Sequence, residues 1–314
     1  MAAKKVLVTG AAGFIASHVV DALVRDGYEV VAVDDLTTGR RENVNPSARF
    51  IHMDIRDPRL AQVFDEERPN YVNHHAAQIS IQTSLREAVR DADVNILGSL
   101  LLLEYARKSE VEKFIYISSG GAIYGEPRYL PCDEGHPIQP LSPYGASKCA
   151  FEPYLFMYKE LYGLDFTTLR YANIYGPRQD PFGEAGVVAI FTERMLQGKE
   201  VIINGSGEQE RDFVYVDDAV EANLLSLERG GGEAFNIGSG IGTSVNRMFA
   251  LLKEITGYER PPTHGPPKEG EVFKIYLSAA KAREGLGWRP KIPLEEGLAG
   301  TVAYFKEQAG EEAT

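Results

Sequence analysis

The chain has 314 residues, 44% of them apolar, enough to bury a sizeable core in one large or two ordinary domains and too many for a disordered chain. Its 45 acidic against 33 basic residues give a net charge of -12, and the longest basic cluster is Gly39-Arg40-Arg41, so neither nucleic acid nor an anionic membrane is an expected partner. Two cysteines are too few for a disulfide framework, the N-terminus runs directly into a strand pattern rather than a secretory segment, and the longest apolar run, 96–103, falls far short of the roughly 20 residues that span a bilayer; the expected setting is reducing and cytoplasmic.

Short β-branched runs alternate with helical stretches from the start: a strand at 5–8, a helix over 14–26 closed by Gly27, and a strand at 28–33. Further strands are predicted at 49–52, 71–74, 113–117 and 166–170, with helices over about 84–108 and 144–162 between them. This rhythm predicts an α/β fold with a doubly wound parallel sheet. After residue 176 the alternation becomes irregular, and the proline-rich segment 261–267 reads as a loop. The expected division is a Rossmann domain over 1–175, with a returning segment near 212–240, and a smaller C-terminal substrate domain made mainly from 176–314.

In Val8-Thr9-Gly10-Ala11-Ala12-Gly13-Phe14-Ile15-Ala16, small residues stand at the turn from strand to helix, where backbone amides can approach a pyrophosphate. A glycine turn alone is a weak signal, readable also as a tight connection without ligand. Asp34 strengthens it: about 20 residues on, at the end of the second strand, a carboxylate can accept from the adenosine ribose hydroxyls and would repel a 2′-phosphate, which favours NAD. Arg40 and Arg41 are either an accommodation for that phosphate or a solvated loop. Asp54-Ile55 either flanks the adenine or begins a helix with Asp54 as cap.

In Ser142-Pro143-Tyr144-Gly145-Ala146-Ser147-Lys148, proline starts a helix, and Tyr144 and Lys148 at i and i+4 share one face. An ammonium beside the phenol would lower its pKa, so that tyrosine could take a proton from a sugar hydroxyl as hydride leaves the carbon. Pro153, inside the same helix, must remove one backbone hydrogen bond and is expected to kink it.

Taken together, these residues resemble the extended short-chain dehydrogenase/reductase family, and most closely its UDP-glucose (UDP-galactose) 4-epimerase branch, over nearly the whole chain. The resemblance rests on Thr9-Gly10-x-x-Gly13-Phe14-Ile15, Asp34-Asp35-Leu36, His75-Ala76-Ala77, Asn95-x-x-Gly98, Ser118-Ser119 ahead of Tyr124-Gly125, Tyr144-x-x-x-Lys148, Arg170-Tyr171-x-Asn173-x-Tyr175-Gly176-Pro177-Arg178, Arg211-Asp212-Phe213-Val214-Tyr215-Val216-Asp217-Asp218 and Leu286-Gly287-Trp288-x-Pro290.

What the resemblance implies is a tightly held NAD that oxidises C4 of a UDP-hexose and returns the hydride to the opposite face of a rotated 4-keto intermediate. Tyr144 would be the acid/base, Lys148 would bind the nicotinamide ribose, and a hydroxyl would relay the proton. The cofactor would lie against Gly10, Gly13, Phe14, Ile15, Asp34, Asp35, Leu36, Thr38, Gly39, Asp54, Ile55, His75, Ala76, Ala77, Gln78, Asn95, Ser118, Tyr144, Lys148 and Tyr171. The substrate would meet Ser119, Gly120, Tyr144, Asn173, Val187, Asn204, Arg211, Lys268 and Glu271. Arg211 also has a physical case, since a forked guanidinium suits a diphosphate, against a surface ion pair with Glu210 or Asp212.

The chain departs from the branch in instructive places. Gly120 stands where relatives carry the relay Ser/Thr, so that role falls to Ser119, to Ser118, or to no hydroxyl at all. Lys268-Glu269-Gly270-Glu271 replaces an Arg-x-Gly-Asp, Asn204 stands where an aromatic often contacts the base, and Ile275 falls where side-chain size governs N-acetylated sugars, leaving N-acetyl and uronate analogues open. Competing readings are a dehydratase or decarboxylase, which lacks its acid because Gly120, Gly121 and Ala122 occupy that loop, and a non-catalytic NAD-binding regulator, which would not need Tyr144 and Lys148. His74-His75 has no third ligand at a recognisable spacing, so no metal is expected. Surplus apolar helix surface at 84–108 and 144–162, with the pairing of relatives through these helices, implies a homodimer.

Overall fold

The computed structural model describes residues 3–182, 186–267 and 272–311. Seven strands form its main sheet: β1 (Lys5–Thr9), β2 (Glu29–Asp34), β3 (Arg49–His52), β4 (Tyr71–His74), β5 (Lys113–Ser119), β6 (Asp165–Tyr171) and β7 (Glu233–Ile237). They lie in the order β7-β6-β5-β4-β1-β2-β3, and every pairing is parallel. The expected doubly wound α/β sheet is the fold found. Parallel strands covered on both faces must be apolar throughout, which is why Val6, Leu7 and Val8 are all fully buried. Val6, Val8 and Ile115 pack on one side with helix α1 (Phe14–Arg25), while Leu7, Phe114 and Tyr116 pack on the other.

Chain order reverses between β1 and β4, so the carboxyl ends of these strands open the crevice where such sheets bind ligands. Helix α2 (Leu60–Glu67) leads into β4. The helix expected over 84–108 is instead four pieces: α3 (Ile81–Arg86), α4 (Ala88–Ala92), a π-helical stretch over Asp93–Gly98, and α5 (Ser99–Lys108). The chain breaks at Glu87, whose φ and ψ of -132° and 52° are not helical. Helix α6 (Pro143–Tyr162) runs as expected: Ser142 caps it by accepting from the Gly145 amide at 3.1 Å, Pro143 occupies its first turn, and Gly163 ends it at φ 74°. Pro153 sits within it and leaves the Cys149 carbonyl without its usual amide partner.

Beyond β6 the chain alternates between the main sheet and a smaller cluster. Helix α7 (Val187–Leu196), α9 (Val245–Thr256) and α10 (Leu294–Glu311) enclose a second core of Phe191, Met195, Phe249, Leu252 and Leu298. Between them α8 (Val216–Ser226) packs on α1, and β7 returns to the sheet edge beside β6. Among the described residues no helix is long and apolar enough to cross a membrane.

Candidate active site

The turn after β1 is built for close approach. Gly10 has φ 67°, and a Cβ there would lie 2.8 Å from the Ala76 amide nitrogen, so only glycine lets this turn abut the end of β4. Gly13 begins α1 with no side-chain cap, leaving the first-turn amides for a ligand. Asp34 is buried; it accepts from the Ala12 amide at 2.9 Å and the Leu36 amide at 2.8 Å, and burial raises its pKa. Leu36 adopts a left-handed φ of 59°, folding the 36–40 loop back so that the Arg40 amide donates to the Ala12 carbonyl at 3.0 Å. A Cβ at Gly39 would meet both Ala12 and Asp34 at 2.8 Å, so the two loops clasp with no room for a side chain. These features suit a dinucleotide. Arg40 pairs with Asp180 at 3.5 Å and Arg41 stacks over the Phe50 ring at 4.4 Å, so both guanidinium groups are already engaged.

Asp54 does not cap α2, whose first flanking residue is Arg59; it accepts from the Arg56 amide at 2.8 Å and grips the Arg56 guanidinium. Ile55 is buried against the position where Gly98 would carry a Cβ. Asp35 and Thr38 are exposed in the loop after β2.

His74 is fixed by Thr9 Oγ1 at 2.7 Å and Ser99 Oγ at 2.8 Å, and burial holds it neutral. His75 is pushed down to about 3, chiefly by burial and then by the Lys148 charge. Among the described residues no cluster of three His, Cys, Asp or Glu could hold a metal. Past Ala76 and Ala77, the Gln78 amide donates to Asn95 Oδ1 at 2.8 Å; Asn95 Nδ2 lies within hydrogen-bond reach of the Gln78 carbonyl at 2.9 Å and of Ser147 Oγ at 3.1 Å. Asn95 is thus turned inward by the wide π turn, a geometry frequent at functional sites.

Successive residues of a strand face opposite sides, and this separates the two candidate serines. Ser118 donates to Glu152 Oε1 at 2.7 Å, within a buried cluster that also holds Arg170. Ser119 faces the other way, toward the Tyr144 phenol, whose pKa it lowers. The slot at Gly120 is filled by Leu277, whose Cδ1 overlaps the place a Cβ would take.

The tyrosine's own pKa runs opposite to the expectation. Burial pushes Tyr144 up to about 12, with only Ser119 opposing, and Lys148 is not among the groups that lower it. Lys148 is pushed down to about 7 by burial, against the pull of Glu152 and Asp91, and its ammonium lies 4.6 Å from the Tyr116 ring centroid. At both groups desolvation by burial is the dominant influence.

On the substrate side, Asn173 lies 3.7 Å from where Gly121 would carry a Cβ, next to Ser119 and Gly120, and Tyr171 pairs with Ser119 in the sheet while its hydroxyl accepts from Asn223. Val187 opens α7, and the Asn204 carbonyl accepts from Gln209 at 2.9 Å. The Arg211 guanidinium reaches the carbonyls of Glu210 at 2.9 Å and Phe273 at 3.3 Å; Glu210 is paired with Lys274 and Asp212 is buried among the amides of Ser239, Gly240 and Leu277. Ile275 is buried and pairs with Arg211 in register. Lys268 and Glu271 lie outside the described residues.

Residues 6–238 match the model of the NAD dependent epimerase/dehydratase family, and the chain belongs to that family. The resemblance to extended short-chain dehydrogenase/reductases of the UDP-glucose 4-epimerase branch therefore holds. A Thermotoga maritima UDP-glucose 4-epimerase solved with UDP-glucose is 55% identical, with TM-score 0.96, covering 97% of this chain and 99% of its own. A Thermus thermophilus UDP-glucose 4-epimerase in complex with NAD is 45% identical, with TM-score 0.91, over 96% and 99% of the two chains. The UDP-glucose 4-epimerase of Mycolicibacterium smegmatis is 44% identical over 97% of this chain and 99% of its own.

Proposed function

We propose that this protein interconverts UDP-glucose and UDP-galactose, or their N-acetyl or uronate analogues, by inverting C4 of the hexose. It is an isomerase, a nucleotide-sugar 4-epimerase that uses NAD, and relatives named for that reaction cover 96–97% of the chain. When bound, NAD supplies the acceptor and later the donor of the C4 hydride. The protein does the rest: with the positive charge of bound NAD favouring its phenolate, the Tyr144 oxygen would take the C4 hydroxyl proton and give it back after the sugar turns over, while Ser119 relays the proton and Lys148 holds the nicotinamide ribose. What carries this reading is the placement of Ser119 toward the Tyr144 phenol, on the face of β5 opposite to that on which Ser118 meets Glu152.

The cofactor's division of labour follows the same reading: residues 1–175 with the returning segment near 212–240 hold NAD, while 176–314 mainly hold the nucleotide sugar, with Asn173, Val187, Asn204, Arg211, Lys268 and Glu271 on its side. A cytoplasmic location is supported by two free cysteines, Cys132 buried and Cys149 half-buried. A homodimer is supported by bare apolar side chains on neighbouring helices, Val89 (85% exposed), Leu97, Phe156 and Leu161.

The test is to incubate the purified protein with UDP-galactose, UDP-N-acetylgalactosamine and UDP-galacturonate without added reductant and to read C4 configuration by NMR. Inversion of any one, with no net NADH, is the expected result and names the sugar; bound NAD with no inversion of any of the three would overturn the assignment.

A further inference from the structure

Helix α4 carries a carboxylate that neither the motifs nor the proposed chemistry uses. Asp91 is 1% exposed. Its Oδ1 accepts from Gln78 Nε2 at 2.8 Å and from Asn95 Nδ2 at 3.2 Å, and its Oδ2, equally buried, has no hydrogen-bond partner among the described residues. An unpaired buried carboxylate oxygen is expensive, and an asparagine would fill the same shape at lower cost. Through Asn95 the group is tied to Ser147, the residue before Lys148 on α6. We propose that Asp91 is a positioning residue of the Tyr144–Lys148 pair, its uncompensated negative charge holding Lys148 as an ammonium ion while its hydrogen bonds hold Gln78 and Asn95 against α6.

The surroundings single it out. Two carboxylates act on Lys148, first Glu152 and then Asp91. Glu152 is already matched by Arg170, whose Nε lies 3.1 and 3.2 Å from its two oxygens, and it also accepts from Ser118. Glu152 thus has a counter-ion of its own in Arg170. Around Asp91, the Arg90 guanidinium is bound to Glu87 at 2.9 Å and that of Arg56 to Asp93 at 2.6 Å, so neither guanidinium pairs with it. The other titratable groups at the pair are Tyr116 of β5 and His74 and His75 of β4, all held uncharged by burial. Asp91 also disfavours the Tyr144 phenolate. Its charge thus raises the affinity of both groups for a proton, and removing it lowers both steps, whichever proton is assigned to which residue.

This rests on the reading of Tyr144 and Lys148 as the acid/base pair, and the experiment separates the two. In NAD-loaded protein carrying [13Cε]lysine, the Lys148 resonance, assigned by its loss in Lys148→Arg, is titrated against pH. Asp91→Asn is expected to lower the Lys148 midpoint by about one unit or more, to move both limbs of the kcat/KM profile to lower pH, and to leave Tm unchanged or higher. Asp91→Glu, which keeps the charge, is expected to restore the midpoint and the profile. An unmoved midpoint with unmoved limbs overturns the proposal, as does loss of the fold in Asp91→Asn, because the carboxylate would then be structural. Tyr144→Phe with undiminished turnover would refute the dyad while leaving the Lys148 midpoint to be judged by itself.

Discussion

At the scale of single residues, the proposed acid/base pair is maintained at a cost to stability. Lys148 is 4% exposed, and burial takes it from 10.5 down to about 7. A base whose pKa is depressed by folding destabilises fully below its folded value, and the cost fades as pH rises toward the unfolded value of about 10.4. Lys148→Met is therefore expected to stabilise the NAD-free protein at pH 6 by something on the order of a few kcal/mol and to do much less at pH 10. Urea unfolding at the two pH values measures this, and an equal effect at both would show that ionisation of Lys148 is not the source. Ser119 makes a complementary prediction. If Ser119 relays the proton through a hydrogen bond to the Tyr144 phenol, Ser119→Ala should slow turnover about tenfold, the worth of one such bond, while Ser118→Ala should act on stability through Glu152 and Arg170; turnover of Ser119→Ala near that of the parent protein would remove the relay. The serine pair was half legible in the sequence: the motif marked both, and strand alternation, which assigns one to each face, needed only the end of β5 to be located. Leu277 was not legible. Nothing in the pattern says that a leucine 157 positions downstream fills the slot at Gly120, because that contact is made by the fold's return and not by local spacing.

At the scale of elements, the strands were legible because buried parallel strands are runs of apolar residues between turn signals, as in Lys5–Thr9 and Lys113–Ser119. Helix α6 was legible from its cap and proline. The stretch 81–108 was not, because its apolar spacing suits a helix throughout, while the break at Glu87 and the π turn are set by tertiary partners: Gln78, Asp91 and Ser147 all converge on Asn95. For the same reason Asp91 was hidden in the sequence, reading as one more charge in Arg90-Asp91-Ala92-Asp93, although its i, i+4 relation to Asn95 was the available signal. The glycine that ends the π turn has a physical reason of its own. A Cβ at Gly98 would lie 2.9 Å from Ile55 Cδ1 and 3.1 Å from its Cγ1. Gly98→Ala should push Ile55 out of place and destabilise the protein by about 1–2 kcal/mol, with a lower content of NAD after purification, read from the absorbance of the released cofactor. Retention of NAD at the parent level together with unchanged Tm would mean that Ile55 yields freely and that this contact does not shape the cofactor crevice.

At the scale of the whole molecule, the same helices face two ways. Asp91, Asn95, Ser147 and Lys148 lie on buried faces of α4, the π stretch and α6. The outer faces of these elements show Val89, Leu97, Phe156 and Leu161, with Phe156 60% and Leu161 64% exposed. An apolar face this bare on packed helices needs a cover, and a second copy of the same face offers a self-complementary one. The double substitution Leu97→Glu/Phe156→Glu should therefore give a particle of monomer mass in light scattering, where the parent protein is expected at twice the 34.6 kDa chain mass. Because both substitutions sit on helices whose inner faces hold Asn95 and Lys148, losing the partner should also loosen the site, and the variant should retain less NAD at equal protein concentration. A monomer that keeps its NAD and its turnover would separate assembly from catalysis, and a parent protein that is itself monomeric at micromolar concentrations would leave the exposed face to another role.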